Sequence, residues 1–351
     1  MGFDREGREL VIVAVKATYA FPEGGQQPQL SGQQIPLTTS DQFSGEPGKS
    51  APVYEADLAH RKGLCDVLLN GSAHAPGGMP AVEVPVGLKV GSMLKTFNVV
   101  GDRIWQAGAL RLSVTQPLPF LALPVSYDNA FGGVDPGARD ASKVKTYLAN
   151  PVGCGYCPSG RELDGRKLPN TEESQRSVSD PQGRYQPMSF GSVGRNWQPR
   201  ASFAGTYDQT WMDYRAPFWP DDFDDRYFQA APSDQQIPYP RGEVEVALKN
   251  LTPLGGLVRF NLPTFEPRIL FVPHRGAPLE HTAMTDTVLL EPDLQRFSLT
   301  ARFALPMRKS CFDLREVVVG SSAAKWLGRR RFGNKPYYES LAHLIRARRR
   351  R

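Results

Sequence analysis

Two stretches in the N-terminal part of the chain alternate between apolar and polar residues with a period of two. Every odd position from Val11 to Phe21 is apolar, and so is every even position from Val82 to Val90. Because successive side chains of a strand point to opposite faces, this spacing predicts strands that bury one face. Pro85 lacks the amide hydrogen that a sheet ladder uses, so we expect the second strand at a sheet edge.

Turn residues between such stretches predict how the strands are connected. Gly101-Asp102 lies between two apolar stretches and predicts a tight hairpin. In the C-terminal half, turn residues at 252–256 and at 291–293 each connect two alternating stretches and predict two further hairpins. Polar and turn residues dominate from about 136 to 199 and follow no period, which is typical of a long crossover or the rim of a site.

These patterns predict a mainly β fold, either sandwich-like or built of paired antiparallel sheets, with long irregular connections and a short C-terminal helix. We expect one mainly β domain over residues 1–320. The alternative is two intertwined β subdomains, about 1–135 and 200–320, with the irregular segment 136–199 between them. Residues 321–351 are expected to form a basic tail that is helical or disordered.

The tail combines helical spacing with positive charge. Tyr337, Leu341, Leu344 and Ile345 follow one another at positions i, i+4, i+7 and i+8, which predicts a short helix. Residues 325–351 contain ten Lys or Arg and one Glu, a net charge of +9, which leaves 32 basic and 35 acidic residues and a net charge of −3 elsewhere. The net charge of +6 for the whole chain therefore comes from the tail.

The composition fits a β fold and excludes several classes of protein. The 33 Gly and 31 Pro among 351 residues exceed average usage and disfavour a helical bundle. Four cysteines are too few for a disulfide framework. The longest apolar run, 10–15, is far shorter than the roughly 20 residues of a membrane-spanning helix, and the charged N-terminus does not resemble a signal peptide. We expect a cytoplasmic protein without a membrane span.

Cys154 and Cys157 have the CxxC spacing of zinc sites and redox pairs. A structural zinc site needs four ligands, and no second pair with this spacing follows in the sequence. A redox pair usually precedes a helix in a βαβ unit, and the surrounding sequence does not predict one. We interpret the pair as two incidental thiols in a loop, and we expect neither a metal nor a cofactor.

Aromatic residues are densest between Trp197 and Phe228, where ten of 32 residues are Phe, Tyr or Trp. Their spacing fits neither a regular helix nor a regular strand. They either line a binding groove, since Trp, Tyr and Arg are favoured interface residues, or form a core from irregular chain. We take as candidate partner-binding residues Trp197, Arg200, Tyr207, Asp208, Trp211 and His74.

Short motifs follow one another in a fixed order between about residues 5 and 305. They include Val15-Lys16-Ala17-Thr18-Tyr19, Val99-Val100-Gly101-Asp102-Arg103-Ile104-Trp105, Ala130-Phe131-Gly132-Gly133, Asn150-Pro151-Val152-Gly153, Leu168-Pro169-Asn170, Trp197-Gln198-Pro199-Arg200, Ala204-Gly205-Thr206-Tyr207-Asp208 and Asp234-Gln235-Gln236. Each motif is short, but their order over this length is specific. Together they resemble a bacterial family, long labelled as a domain of unknown function, that is encoded in type VI secretion clusters.

The resemblance implies a non-catalytic adaptor or chaperone of the bacterial cytoplasm. Such proteins bind a toxic effector and help attach it to the secretion spike before export. The implied partners are therefore a secreted effector and a spike protein with valine-glycine repeats or its PAAR-type tip. We expect no specific nucleic acid partner.

Two other functions remain as alternatives. A β-fold enzyme or binding protein that acts on cell-envelope polymers would use His74, Asp102 or the acidic residues at 222–225. Direct nucleic-acid binding would use the basic residues at 346–351, and its affinity would fall steeply with salt.

Overall fold

The computed structural model describes residues 2–22, 26–108, 112–135, 137, 144–320 and 341–349. Within these residues the protein is mainly β, as predicted. The strands of the N-terminal part are β1 (Gly2–Phe3), β2 (Glu9–Ala20), β3 (Gln42–Phe43), β4 (Pro52–Tyr54), β5 (Cys65–Leu69), β6 (Ser72–His74), β7 (Glu83–Val90), β8 (Met93–Val100), β9 (Trp105–Ala107), β10 (Leu112–Val114), β11 (Ala122–Pro124) and β12 (Phe131–Gly132). Those that follow are β13 (Cys154–Gly155), β14 (Thr171–Glu172), β15 (Gln236–Ile237), β16 (Val244–Lys249), β17 (Leu257–Leu262), β18 (Arg268–Pro273), β19 (Leu279–Thr282), β20 (Met284–Glu291), β21 (Arg296–Pro306) and β22 (Leu314–Val319). The helices are α1 (Gln209–Tyr214) and α2 (Leu341–Arg349).

Two sheets form the main body. The first sheet has the strand order β1-β2-β21-β20-β5-β15, and the second has the order β14-β8-β7-β16-β17. Neighbouring strands are antiparallel except β20 and β5, which are parallel. Each sheet takes strands from both halves of the sequence, and the two sheets share one hydrophobic core. The predicted sandwich-like architecture is confirmed.

Aromatic rings fill the space between the sheets. Phe297 of the first sheet stacks on Tyr19, with ring centres 5.2 Å apart, and lies 5.4 Å from Phe260 of the second sheet. Phe21 contacts both Phe260 and Phe297 edge-on. Burial of such large apolar surfaces is the main free-energy gain on folding. The odd positions of β2 near its C-terminal end supply part of this core, as their alternation predicted.

The two hairpins predicted in the C-terminal half are confirmed. β16 pairs with β17 from Val244 opposite Leu262 to Lys249 opposite Leu257. β20 pairs with β21, and the turn between them ends at Gln295, whose φ of 51° lies in the left-handed region.

Pro85 was expected to mark an edge strand, and this prediction is wrong. β7 lies inside the second sheet, between β8 and β16. Its pairing with β16 extends only to Gly87 opposite Lys249, so Pro85 lies beyond the end of that ladder. A proline in a central strand is tolerated here because one neighbouring strand has already ended at its position.

The tight hairpin predicted at Gly101-Asp102 is also wrong. β8 forms its hairpin with β7, through a turn at Gly91 whose φ is 56°, and β9 pairs with β10 instead. Glycine is needed at position 101 for another reason, because a Cβ atom there would lie 1.8 Å from the carbonyl oxygen of Leu118. The glycine allows two chain segments to cross closely, rather than a turn.

The outer face of the first sheet, opposite the shared core, carries buried charges. We call the following residues the ionic layer: Lys16, Asp57, Lys62, Asp66, Asp286 and Arg302. Lys16 pairs with Asp57, Lys62 pairs with Asp66, both at 2.6 Å, and Arg302 pairs with Asp286. Three cations thus face three carboxylates, and each pair is withdrawn from water.

The irregular stretch that follows about residue 136 packs around a separate apolar cluster. Its described part contributes Cys157, Leu163, Leu168 and Tyr185, which pack with Trp105 and other buried residues. The predicted C-terminal helix is present as α2. The prediction for residues 321–340 and 350–351 of the tail, Tyr337 included, lies outside the described residues.

Candidate partner-binding site

The aromatic segment between Trp197 and Phe228 divides into a buried and an exposed set. Trp197, Phe223 and Phe228 are buried, whereas Tyr207, Tyr214 and Phe218 are exposed. The two interpretations of this segment, a core and a binding groove, therefore apply to different residues within it. The spacing in the sequence gave no basis for telling the two sets apart.

Trp197 and Arg200 belong to the buried set. Trp197 packs edge-on against Tyr127, with ring centres 5.4 Å apart. Both terminal nitrogens of Arg200 bond to Glu55, at 3.0 and 2.5 Å, and its Nη1 and Nε donate to the carbonyls of Val193 and Tyr227. A buried guanidinium with these partners fixes the chain rather than contacting solvent or a partner directly.

Tyr207, Asp208 and Trp211 lie together at the start of α1. The Asp208 carboxylate accepts a hydrogen bond from the Trp211 amide at 2.9 Å and so caps the helix. The ring of Trp211 packs against Tyr207 at 4.8 Å, and its Nε1 donates to the carbonyl of Phe218 at 2.9 Å. These contacts hold the short helix and its aromatic side chains in one arrangement.

The segment that carries α1 is held at both ends. Its start is held by Asp222, which accepts hydrogen bonds from the amide and hydroxyl of Thr206 at 2.9 and 2.7 Å. The Thr206 hydroxyl and amide lower the pKa of Asp222, which keeps the accepting carboxylate ionised. Its end is held by the N-terminal hairpin, because Trp219 Nε1 donates to the carbonyl of Phe3 at 3.1 Å.

Large apolar side chains are exposed around this helix. The α1 surface, as we call it, consists of Phe3, Tyr207, Met212, Tyr214 and Phe218. Tyr214 is 83% exposed and Met212 61%, and Phe3 contacts Phe218 edge-on at 6.3 Å. Aromatic and methionine side chains are enriched in protein interfaces, so this surface is suited to bind another protein.

A pocket of about 320 Å³ adjoins the α1 surface and shares Phe3 with it. Trp219, Phe223 and Phe228 form its apolar wall, and His60 stacks on Phe228 at 5.3 Å. Burial lowers the pKa of His60. The pocket is large enough to receive one apolar side chain of a partner.

His74 lies apart from the other candidate residues. Its Nε2 is 2.8 Å from the carboxylate of Asp293, in the turn between β20 and β21. The α1 surface lies beside β1, near Leu10, which pairs with Pro306 at the other end of β21. The 11 residues of β21 span about 35 Å, so His74 and the α1 surface lie at opposite ends of the sheet.

The residues considered for an enzyme have separate partners. Asp102 accepts one hydrogen bond from the side chain of Asn170 at 3.0 Å and lies 3.1 Å from Lys167. Asp222 binds Thr206, and His74 contacts Asp293. The contacts within the described chain do not join these candidate residues into one site.

Neither CxxC cysteine forms a disulfide, and burial makes the Cys154 thiol poorly suited to nucleophilic chemistry. Burial raises the pKa of Cys154 to about 11, so its thiol stays protonated near neutral pH. Cys157 is buried and lies 3.4 Å from the carboxylate of Asp135. Among the described residues, no three or more His, Cys, Asp or Glu side chains form a group that could hold a metal ion.

Four residues of the α1 surface, Phe3 among them, were not selected as candidates from the sequence. Tyr214 and Phe218 were counted among the aromatic residues but not selected, and Met212 was not considered. The signal that was available is Asp208, which precedes Trp211 by three residues and is a typical helix N-cap. Recognising that short helix would have drawn attention to its side chains.

Comparison with known proteins identifies the family. Residues 6–302 match the family described as "uncharacterized protein conserved in bacteria" (DUF2169). No curated protein and no solved structure shows a significant match to the chain. Within the described residues, no helix has both the length and the apolar character needed to cross a membrane. Since the match covers most of its length, the chain belongs to the bacterial family DUF2169.

Proposed function

We propose that this protein is a non-catalytic adaptor or chaperone that binds a toxic effector of a type VI secretion system. It acts in the bacterial cytoplasm and helps load the effector onto the spike or its PAAR-type tip before export. The ordered sequence motifs support the link to type VI secretion. The observation that carries the binding role is the α1 surface, with its exposed aromatic and methionine side chains.

The α1 surface has the properties of a preformed interface. The cap at Asp208 and the bond from Trp211 to the Phe218 carbonyl fix the helix before a partner arrives. Less conformational entropy is then lost on binding, and a larger part of the contact energy contributes to affinity. The adjoining pocket supplies a place for one buried anchor side chain.

The candidate residues take different parts in this proposal. Tyr207 and Trp211 contact the effector, and Asp208 positions them by capping the helix. Trp197 and Arg200 are buried and hold the chain that precedes the α1 segment. His74 stays a predicted contact that is separate from the α1 surface.

A co-purification experiment tests the proposed function. The full-length chain, tagged at one end, is produced together with the toxin and the spike protein encoded by adjacent genes. We expect both proteins to be retained, each in a complex of defined composition. If neither is retained under conditions in which the chain is folded, the adaptor function is contradicted.

The α1 surface makes a residue-level prediction. We expect the double variant Met212→Ser, Tyr214→Ser to bind the effector about 30-fold more weakly, which corresponds to the loss of roughly 2 kcal/mol from two interface residues. Its melting temperature should stay close to that of the wild type because both side chains are exposed. Calorimetric titration and thermal unfolding measure the two effects.

Leu254→Ser is the matched control for this pair. Leu254 is 91% exposed in the turn between β16 and β17, away from α1. The control should bind the effector as the wild type does. Equal affinity for the double variant and the control would show that the effector does not contact the α1 surface.

A further inference from the structure

A second cavity opens where both sheets have incomplete edges. β15 ends the first sheet, and β14 covers only the Asn98–Val99 part of β8 in the second. The region of β8 around Lys95 therefore has no strand partner on that side within the described chain. A cleft of about 460 Å³ lies here, and its walls come from residues 186–200 and 226–236.

The charged side chains of the cleft are already paired within the protein. Lys95 lies 3.1 Å from Asp234, and Arg226 lies 2.6 Å from Asp224. Arg200, which also lines the cleft, is bound to Glu55. Since each cation has its own carboxylate, the cleft offers no net charge to a ligand, and a neutral ligand fits it best.

Several hydrogen-bonding groups of the cleft remain unused. The side-chain amides of Gln186 and Gln198 are exposed and make no hydrogen bond within the described residues. Lys95 Nζ donates to Gln235 at 2.7 Å and to Asp234, which leaves one of its three N–H groups available. Burial lowers the pKa of Lys95, opposed by Asp234, so a further acceptor would stabilise its ammonium form.

Apolar side chains form much of the remaining wall of the cleft. Pro187, Pro199 and Pro232 contribute ring surfaces, and Phe203 contributes its side chain. The guanidinium of Arg226 lies 4.1 Å from the centre of the Phe203 ring and covers one of its faces. A sugar ring stacks best on a free aromatic face, so this arrangement favours a peptide over a glycan.

We propose that this cleft binds an uncharged, extended peptide segment of the effector. The amides of Gln186 and Gln198 each offer a donor and an acceptor, which match the N–H and C=O groups of a peptide backbone. Lys95 donates its free N–H to a backbone carbonyl, and the proline rings contact the side chains. The open edges at β15 and β8 allow the segment to lie along a sheet, as in strand addition. The identity of the peptide as part of the effector rests on the proposed adaptor function.

Peptide binding to the full-length protein tests the cleft. Fluorescent peptides of about ten residues, which span roughly 33 Å when extended, cover the toxin encoded by the adjacent gene with overlaps. We expect neighbouring peptides from one uncharged segment to raise the fluorescence anisotropy. Gln198→Ala should weaken this binding about tenfold, the effect of one lost hydrogen bond without its partner.

Two further variants make the result specific. Lys95→Met should also weaken peptide binding, and a thermal melt shows whether that buried substitution affects folding. The Gln198 side chain is exposed, so Gln198→Ala should leave folding unaffected. Gln33→Ala removes an exposed amide away from the cleft and should leave the affinity unchanged.

The outcomes separate the cleft from the adaptor function. If no peptide binds, or if Gln198→Ala and Gln33→Ala bind equally well, the cleft proposal is overturned even when the intact toxin is retained. If peptides bind and Gln198→Ala weakens them while the intact toxin is not retained, the cleft stands and the adaptor function fails. The trisaccharide of N-acetylglucosamine is the competing probe. If the trisaccharide binds and Gln198→Ala abolishes that binding, the peptide proposal is overturned in favour of a glycan site.

Discussion

Arg200 and Tyr207 are close in sequence, but Arg200 is buried and about half of Tyr207 is exposed. An arginine among aromatic residues is typical both of interface hot spots and of buried ion pairs. What decides between them is Glu55, whose carboxylate binds Arg200 from a distant part of the chain. A local pattern contains no information about such a partner, so the sequence could propose a segment for the site but could not separate its buried residues from its exposed ones.

Arg200→Met makes this difference measurable. The substitution leaves Glu55 buried beside Arg195 alone and leaves the carbonyls of Val193 and Tyr227 without their donor. We expect the free energy of unfolding to fall by about 2–3 kcal/mol, because buried acceptors lose their donor while Glu55 keeps its pair with Arg195. Urea denaturation measures this loss.

Arg226→Met is the matched control for Arg200→Met. The Arg226 side chain is 64% exposed and pairs with Asp224 at the surface. An exposed pair of this kind contributes little, so the stability should change by about 0.5 kcal/mol or less. Similar values for the two variants would contradict the supporting role of Arg200.

At the scale of elements, alternation in the sequence identified strands well and their neighbours less well. The alternation of apolar and polar residues correctly predicted the positions of β2, β7 and the hairpins β16–β17 and β20–β21. The predictions at Pro85 and Gly101 were wrong because a proline or a glycine in a strand region occurs for more than one structural reason. A proline also fits where a neighbouring strand ends, and a glycine also fits where two segments cross. Only the packed sheet distinguishes these cases.

Gly101→Ala tests the close crossing of chain segments. The added Cβ would lie 1.8 Å from the Leu118 carbonyl oxygen, and backbone atoms cannot move aside as a flexible side chain can. We expect a loss of about 3 kcal/mol or more in the free energy of unfolding. Gly63→Ala is the control, since no atom lies within 4 Å of its added Cβ. If both variants melt at the wild-type temperature, the crossing does not have this geometry.

At the scale of the whole molecule, the ionic layer joins the first sheet to the segments that cover it. Lys16 extends from β2 to Asp57, and Lys62 lies between Asp66 and the hydroxyl of Thr287. The alternation predicted one buried face for β2, and a charged residue on the other face of a strand usually indicates contact with solvent. The three buried ion pairs therefore could not be predicted from the alternation of apolar and polar residues alone.

The ionic layer gives the molecule a pH-dependent stability. Burial raises the pKa of Asp286 above its usual 3.8, although Arg302 and Lys62 oppose the shift. A carboxyl group with a raised pKa binds its proton more tightly in the folded state. Its contribution to stability is therefore greatest below its usual pKa and is lost as the pH rises through the folded pKa. We expect Asp286→Asn to gain stability relative to the wild type as the pH rises from about 4, measured by urea unfolding at a series of pH values.

The surface variant Asp313→Asn controls for the loss of one carboxylate, since Asp313 is exposed. The stability difference between this variant and the wild type should show no comparable rise with pH. A difference for Asp286→Asn that stays constant or falls with pH would contradict the assigned role of Asp286.

The α1 surface and the cleft share one feature of the chain's organisation. Except for Phe3 and Lys95, their principal residues come from the stretch between β14 and β15, residues 173–235, which contains no strand of either sheet. Under the proposed function, the choice of cargo is therefore encoded in this one stretch of sequence, whereas the two sheets support it. A related gene could acquire a new cargo by changing the exposed residues of this stretch while keeping Phe190, which belongs to the shared core, and Arg200, which binds Glu55.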